Sequence, residues 1–145
     1  MEPGALIGTW RFERAIRDRA SATDYRARGE AEFTPLADGR IRWAEHGVLE
    51  WADGTTPVER TLYLVRADHD RNPSDGMDDP WTVTFDDGSD FHPWAAGPIS
   101  HWCSPDSYDG RLAGADGPSD AWSLTWTVVG PHKSYTMTTK YRRRA

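Results

Sequence analysis

Trp122-Ser123-Leu124-Thr125-Trp126-Thr127-Val128 alternates large apolar and small hydroxyl side chains without a break. Successive side chains of an extended chain point to opposite faces, so this period of two reads as a strand with one face in a core and one in water. The pattern recurs upstream with Val58, Leu62 and Leu64, with Ile41, Trp43, Leu49 and Trp51, and with Trp81, Val83 and Phe85. Near the start Leu6, Gly8, Trp10, Phe12 and Ile16 share one parity, while Thr9, Arg11 and Glu13 take the other. Between these runs stand turn formers: Ala37-Asp38-Gly39, Asp53-Gly54, Asp87-Gly88, Ser104-Pro105, Gly117-Pro118 and Gly130-Pro131. The sum is an all-β chain of about ten short antiparallel strands, the spacing of a sandwich or a closed barrel. Asp18 to Arg28 shows neither period cleanly and is left between a short helix and an irregular crossing. A looser stretch runs from Asp68 to Pro80, and no repeat divides the chain, so residues 1–145 are expected to form a single domain.

Composition removes several classes of function. The 145 residues carry 17 basic and 23 acidic side chains, a formal charge of −6 that repels phosphate backbones, so nucleic acid is not an expected partner. No apolar run approaches the ~18 residues of a membrane span, and the first residues lack a secretory pattern. Cys103 is the lone cysteine, which fits a reducing compartment. The expectation is a cytoplasmic protein that does not engage membranes, and a homodimer is left open. Eight tryptophans need large enclosed volumes.

No metal or other cofactor is expected. Asp68-His69-Asp70-Arg71-Asn72 begins like a calcium loop, but Pro73 and Asp79 stand where glycine and glutamate belong. The histidines lack zinc spacing, and neither a phosphate loop nor a nucleophile elbow is present.

Gly8-Thr9-Trp10 resembles the Gly-x-Trp opening of lipocalins and related calycins, and the closing strand carries Arg142, Arg143 and Arg144. In such barrels the tryptophan closes one end and a late basic side chain packs over its ring. Nearly the whole chain is also similar to a calycin-like family described only as a domain of unknown function. The similarity rests on Glu45-His46-Gly47-Val48-Leu49, Phe91-His92, His101-Trp102-Cys103-Ser104-Pro105-Asp106-Ser107-Tyr108 and Gly130-Pro131-His132-Lys133-Ser134-Tyr135. It departs at His132 and Ser134, where that family has Lys and Asp. The resemblance implies an up-and-down calycin-like β-barrel and no settled activity.

Glu45 shares parity with Trp43, Leu49 and Trp51, so it should face the interior, where a carboxylate must be paired or protonated. Arg60, on the apolar parity of the following strand, is the nearest partner in sequence. The pair either fixes register or anchors a ligand. Alternation puts His101 and Cys103 on one face and Asp106 and Tyr108 on one face of the next strand. His101 could move a proton with Asp106 orienting it, while Cys103 and Asp106 could equally be a filler and a turn cap. Lys133 and Tyr135 would line a mouth of the barrel if the odd face of the last strand points inward.

These residues leave three readings. The first is a carrier or sensor enclosing a small apolar or aromatic molecule, with Trp43, Glu45, Arg60, His92, His101, Cys103, Tyr108, Trp126, Lys133 and Tyr135 as candidate ligand contacts. The second is a cofactor-independent isomerase, cyclase or lyase in which His101, Tyr108 or Glu45 moves a proton. The third is a haem-binding barrel resembling the nitrobindins, with iron on His92, His101 or His132.

Overall fold

The computed structural model describes residues 2–67, 80–114 and 120–144. The Asp68-to-Pro80 stretch except Pro80, the calcium-like run within it and the Gly117-Pro118 turn lie outside the described residues. A single turn of 3-10 helix, Pro3–Leu6, precedes ten strands. They are β1 Gly8–Asp18, β2 Thr23–Pro35, β3 Ile41–Trp51, β4 Gly54–Arg66, β5 Trp81–Phe85, β6 Asp90–Pro93, β7 Gly97–Cys103, β8 Asp106–Ala113, β9 Ala121–Val129 and β10 Ser134–Arg143. All belong to one antiparallel sheet in the order β6-β5-β4-β3-β2-β1-β10-β9-β8-β7. Two meanders are thus joined by pairing of the first and last strands, with Trp10 opposite Arg143 and Asp18 opposite Tyr135. The short strands β6 and β7 end the order, so the calycin-like barrel is nearly closed. Among the described residues no helix is long and apolar enough to cross a membrane.

One end of the barrel is filled. Trp10, fully buried, donates its indole N–H to the Leu6 carbonyl at 2.8 Å, which fastens the 3-10 turn beneath β1. The Arg143 guanidinium lies 4.3 Å from the Trp10 ring and donates to the carbonyls of Ala5 (2.6 Å) and Ile7 (3.3 Å). A cation over a tryptophan contributes roughly 0.5–2 kcal/mol, and here the same cation satisfies backbone acceptors. Above it Trp43, Trp94, Trp122, Phe33 and Tyr141 pack ring against ring, with Trp122 and Tyr141 stacked at 3.9 Å. Trp43, Trp122 and Trp126 are all buried, as their parity requires.

Asp18 to Arg28 is neither helix nor crossing: it holds the end of β1, a turn and the first half of β2. Asp18 accepts from the N–H groups of Ala20 and Ser21, and Ala22 takes a left-handed φ of 55°. The alternation of β2 is hard to see in the sequence because its inward positions are small. Ala27 and Ala31 are buried, and between them Gly29 sits opposite Gly47 of β3. A Cβ on Gly29 would lie 2.0 Å from the His46 carbonyl oxygen, and one on Gly47 would lie 2.2 Å from that of Arg28. Two backbones therefore approach closer than any side chain allows.

Gly47→Ala should consequently lower the unfolding free energy in urea by about 3 kcal/mol or more, since backbone must give way. Gly4→Ala, whose Cβ would meet open space, should stay within about 0.5 kcal/mol of the parent. Equal stability of the two variants would contradict the close approach.

Candidate functional site

The narrow passage at β2 has a consequence for the interior. With Ala27, Gly29 and Ala31 at the middle of its inner face, β2 leaves room for the Arg14 side chain of β1 to reach across to β3. There its Nη2 lies 2.9 Å from Glu45 Oε1. Glu45 stands opposite Ala31 on one side and Arg60 on the other, and Arg60 Nη2 lies 3.0 Å from the same oxygen. Glu45 Oε2 accepts from the Trp43 indole at 3.0 Å and from the Tyr141 hydroxyl at 2.5 Å. Arg14 is further held by donating to Thr139 Oγ1 (2.8 Å) and to the Tyr141 oxygen (3.2 Å).

Burial would push the Glu45 carboxyl up, but the Arg60 and Arg14 charges and the hydrogen bonds from Tyr141 and Arg14 outweigh it. The group is held below the usual carboxylate range and is ionised. The Tyr141 phenol is driven far up by its own burial and by the facing Glu45 charge, so it remains a donor.

A second group of side chains continues from this network toward the β7–β8 end. Phe91 stacks on Trp126 at 5.1 Å and on Phe85 at 4.5 Å. His92, 2% exposed, lies 5.2 Å from the Trp126 ring and donates Nδ1–H to its neighbour's acceptor, the Pro93 carbonyl, at 2.7 Å. That bond fixes the tautomer with an unprotonated Nε2, and Nε2 has no partner. Burial first, then the nearby Arg60 and His101, push the His92 imidazole down to about 4. His101, half-buried, sits opposite Tyr108 in the β7–β8 ladder, and its ring touches Phe85, Phe91 and Tyr108. At the rim Lys133 pairs with Asp106 at 3.1 Å and donates to Tyr108 at 3.4 Å, while burial and the adjacent Tyr108 push Tyr135 up to about 12. Gly130 keeps this corner open, since a Cβ there would lie 1.9 Å from Asp106 Oδ1.

The sequence candidates therefore fall into two connected groups. Trp43, Glu45 and Arg60 form the charged centre; Trp126, His92, His101, Tyr108, Lys133 and Tyr135 form the wall above it. The odd face of β10 points inward, with Thr139 and Tyr141 buried. Cys103 stands apart, exposed at the tip of the β7–β8 hairpin. His132 is exposed on the β9–β10 turn. Among the described residues no three His, Cys, Asp or Glu side chains converge as metal ligands would.

Sequence reading missed Arg14 and Tyr141. Arg14 shares the parity of Trp10, Phe12 and Ile16, so a cation among core positions was visible there. Its partner was not, because it lies two strands away across β2. Sequence also gave no pointer to the five buried side-chain polar atoms left unpaired among the described residues, Arg60 Nε, Trp81 Nε1, His92 Nε2, Trp122 Nε1 and Trp126 Nε1, of which those of Arg60, His92 and Trp126 belong to neighbouring side chains.

Two carry-overs from burial differ in pH. An imidazole near 6.5 when unfolded and about 4 when folded binds its proton preferentially in the unfolded chain, so stability falls as pH drops from 6.5 to about 4. The loss is on the order of 3 kcal/mol. The Glu45 contribution, from a lowered folded pKa, is intact above the unfolded carboxyl value of 4.5 and is lost only below it. Urea titrations across pH should show His92→Gln flattening the upper limb and Glu45→Gln flattening the lower one. A full upper limb in His92→Gln would show that the neutral imidazole is not its source.

Comparison with known proteins bears on the fold. The S-type phycobiliprotein lyase CPES from Guillardia theta is similar over 99% of this chain and 90% of its own, with a TM-score of 0.71 and 12% identity. A protein of unknown function from the DUF3598 family of Nostoc punctiforme is similar over 99% of this chain and 49% of its own, with a TM-score of 0.50 and 10% identity. At such identities the likeness is one of fold. No curated protein matches the sequence significantly. The family model described as a family of unknown function, DUF6314, matches residues 6–143, and the chain belongs to that family.

Proposed function

We propose that this barrel binds one small, apolar or aromatic molecule in the half bounded by Phe91, His92, His101, Tyr108, Trp126 and Met137. The observation that carries the reading is the group of buried polar atoms without partners. Arg60 Nε, His92 Nε2 and Trp126 Nε1 are all shielded from water, and none has a hydrogen-bond partner within the protein. His92 links the three, being in ring contact with Trp126 and close enough to Arg60 to feel its charge. Folded proteins leave few such atoms unpaired, because each costs about 1–3 kcal/mol. A ligand offering acceptors to Arg60 and Trp126 and a donor to His92 would satisfy all three. The surrounding aromatic rings supply its apolar contacts.

The contrast with the other half supports the same location. Around Trp10, Trp43, Trp122 and Tyr141 the rings are buried and the central carboxylate is saturated, and Trp122 Nε1 is the single unpartnered polar atom of that group. Around His101 and Tyr108 the side chains are only half-buried. The fold likeness to a protein named a lyase is a fold-level analogy and adds a reason to keep acid–base chemistry in view. In that second reading His101 and Tyr108 would move the proton. Glu45 would hold the centre together, since both of its oxygens are already occupied by donors.

The uncharged dye N-phenylnaphthylamine tests the binding reading. One molecule per chain should bind with enhanced emission and quench the Trp126 region. Met137→Trp, which adds bulk opposite Trp126 in the β9–β10 ladder, should weaken binding at least tenfold with an unchanged far-ultraviolet spectrum. Undiminished binding in that variant would place the dye outside the barrel and withdraw the site. Protein purified from its own host should carry a retained small molecule in native mass spectra, and a Soret band there would identify that molecule as haem.

A further inference from the structure

Inside the barrel two guanidiniums meet one carboxylate. Arg14 and Arg60 both contact Glu45 Oε1, and among the described residues no other carboxylate pairs with either of them. The remaining titratable groups do not correct the imbalance. Tyr141 stays protonated against the ionised Glu45, and the rim pair Asp106 and Lys133 neutralise each other. His92, with its imidazole near 4, is neutral and adds no charge of either sign.

The two arginines are not equivalent. Arg14 is 10% exposed, and its donors go to Glu45, Thr139 and Tyr141. Arg60 is 30% exposed, has a single charged partner, and keeps a buried Nε with no acceptor. It lies over the Trp43 ring at 5.6 Å and faces the region of His92. An excess cation partly withdrawn from water is costly unless an anion joins it.

Resting on the binding reading above, we infer that the molecule this barrel takes is an anion: an apolar or aromatic body carrying one acidic group, received by Arg60. The acid, a carboxylate or a group of like charge and size, would accept from Arg60 Nε, the guanidinium N–H left buried without an acceptor. Trp126 Nε1 would offer a neutral donor beside it. Bound this way, the ligand brings the interior to two positive and two negative charges. The aromatic wall of Phe85, Phe91 and Trp126 would take the apolar body. Glu45 has a matching role: it holds Arg60 at Nη2 and leaves Nε for the ligand, so it positions the guanidinium.

A matched pair of dyes separates this inference from the reading it rests on. Anilinonaphthalene sulfonate and N-phenylnaphthylamine differ by the sulfonate alone. The wild-type protein should hold the sulfonate dye about ten- to a hundredfold more tightly, the range of a charge-assisted hydrogen bond made in a shielded site. Arg60→Met should bring the ratio of the two affinities close to one. It removes the excess cation and leaves Glu45 with Arg14, Trp43 and Tyr141, so the fold is expected to persist. Arg60→Lys, which keeps the charge and loses the planar fork, should retain an intermediate ratio and serves if the methionine variant misfolds. Equal affinities in the wild type, or a preference that survives both substitutions, overturns the anionic ligand while leaving the binding site. Failure of both dyes to bind overturns the binding reading and this inference with it.

Discussion

Burying the carboxylate of Glu45 constrains everything around it. An isolated ionised carboxylate in an apolar interior is too costly to persist, so the fold must bring donors to it from distant parts of the chain. Four arrive: Arg14 from β1, Trp43 from β3 itself, Arg60 from β4 and Tyr141 from β10. Each requirement propagates. Arg14 can reach β3 only because β2 presents alanine and glycine on its inner face, and that in turn lets β2 and β3 draw together at Gly29 and Gly47. Tyr141 can reach only because β1 and β10 pair, which is the step that joins the two meanders. The network thus joins both ends of the chain through one buried group. Breaking it by removing the carboxylate alone would leave two enclosed cations, the arrangement known to cost most.

The interior divides at this centre. Toward the 3-10 turn the rings of Trp10, Phe33, Trp43, Trp94, Trp122 and Tyr141 fill space, with the Trp122 indole N–H the one of these left without a hydrogen-bond partner in the protein. Toward the β7–β8 hairpin the rings of Phe85, Phe91, His101 and Tyr108 stand half-buried, with unpaired polar atoms beneath them. A stable closed half and an incompletely satisfied half suit a protein whose function is carried inside the barrel.

Much of this was legible in the sequence where side chains are large. The strict alternation around Trp122 and Trp126 and the turn residues between runs gave the strands, and Gly8-Thr9-Trp10 with the final arginines gave the closed end. Legibility failed where the decisive residues are small or far apart. The middle of the inner face of β2 reads as Ala27, Gly29 and Ala31, which carries little hydrophobic signal, so Asp18 to Arg28 stayed ambiguous. The parity of Glu45 and Arg60 placed them inside and adjacent, because adjacent strands of a meander are neighbours in space. Arg14 and Tyr141 belong to the same cluster, but alternation gives facing and not distance. Cys103 shared the parity of His101, yet it lies beyond the rim, since alternation carries no information about where along a strand the barrel ends.

The account turns on the two arginines sharing one carboxylate unequally, Arg14 as the structural partner and Arg60 as the one left available to a ligand. Double-mutant cycles in urea measure that difference directly, pairing Glu45→Gln with Arg14→Met and, separately, with Arg60→Met. Coupling between Glu45 and Arg14 should reach about 2–3 kcal/mol and that between Glu45 and Arg60 about 1 kcal/mol or less. Equal couplings, or a larger one for Arg60, would contradict it.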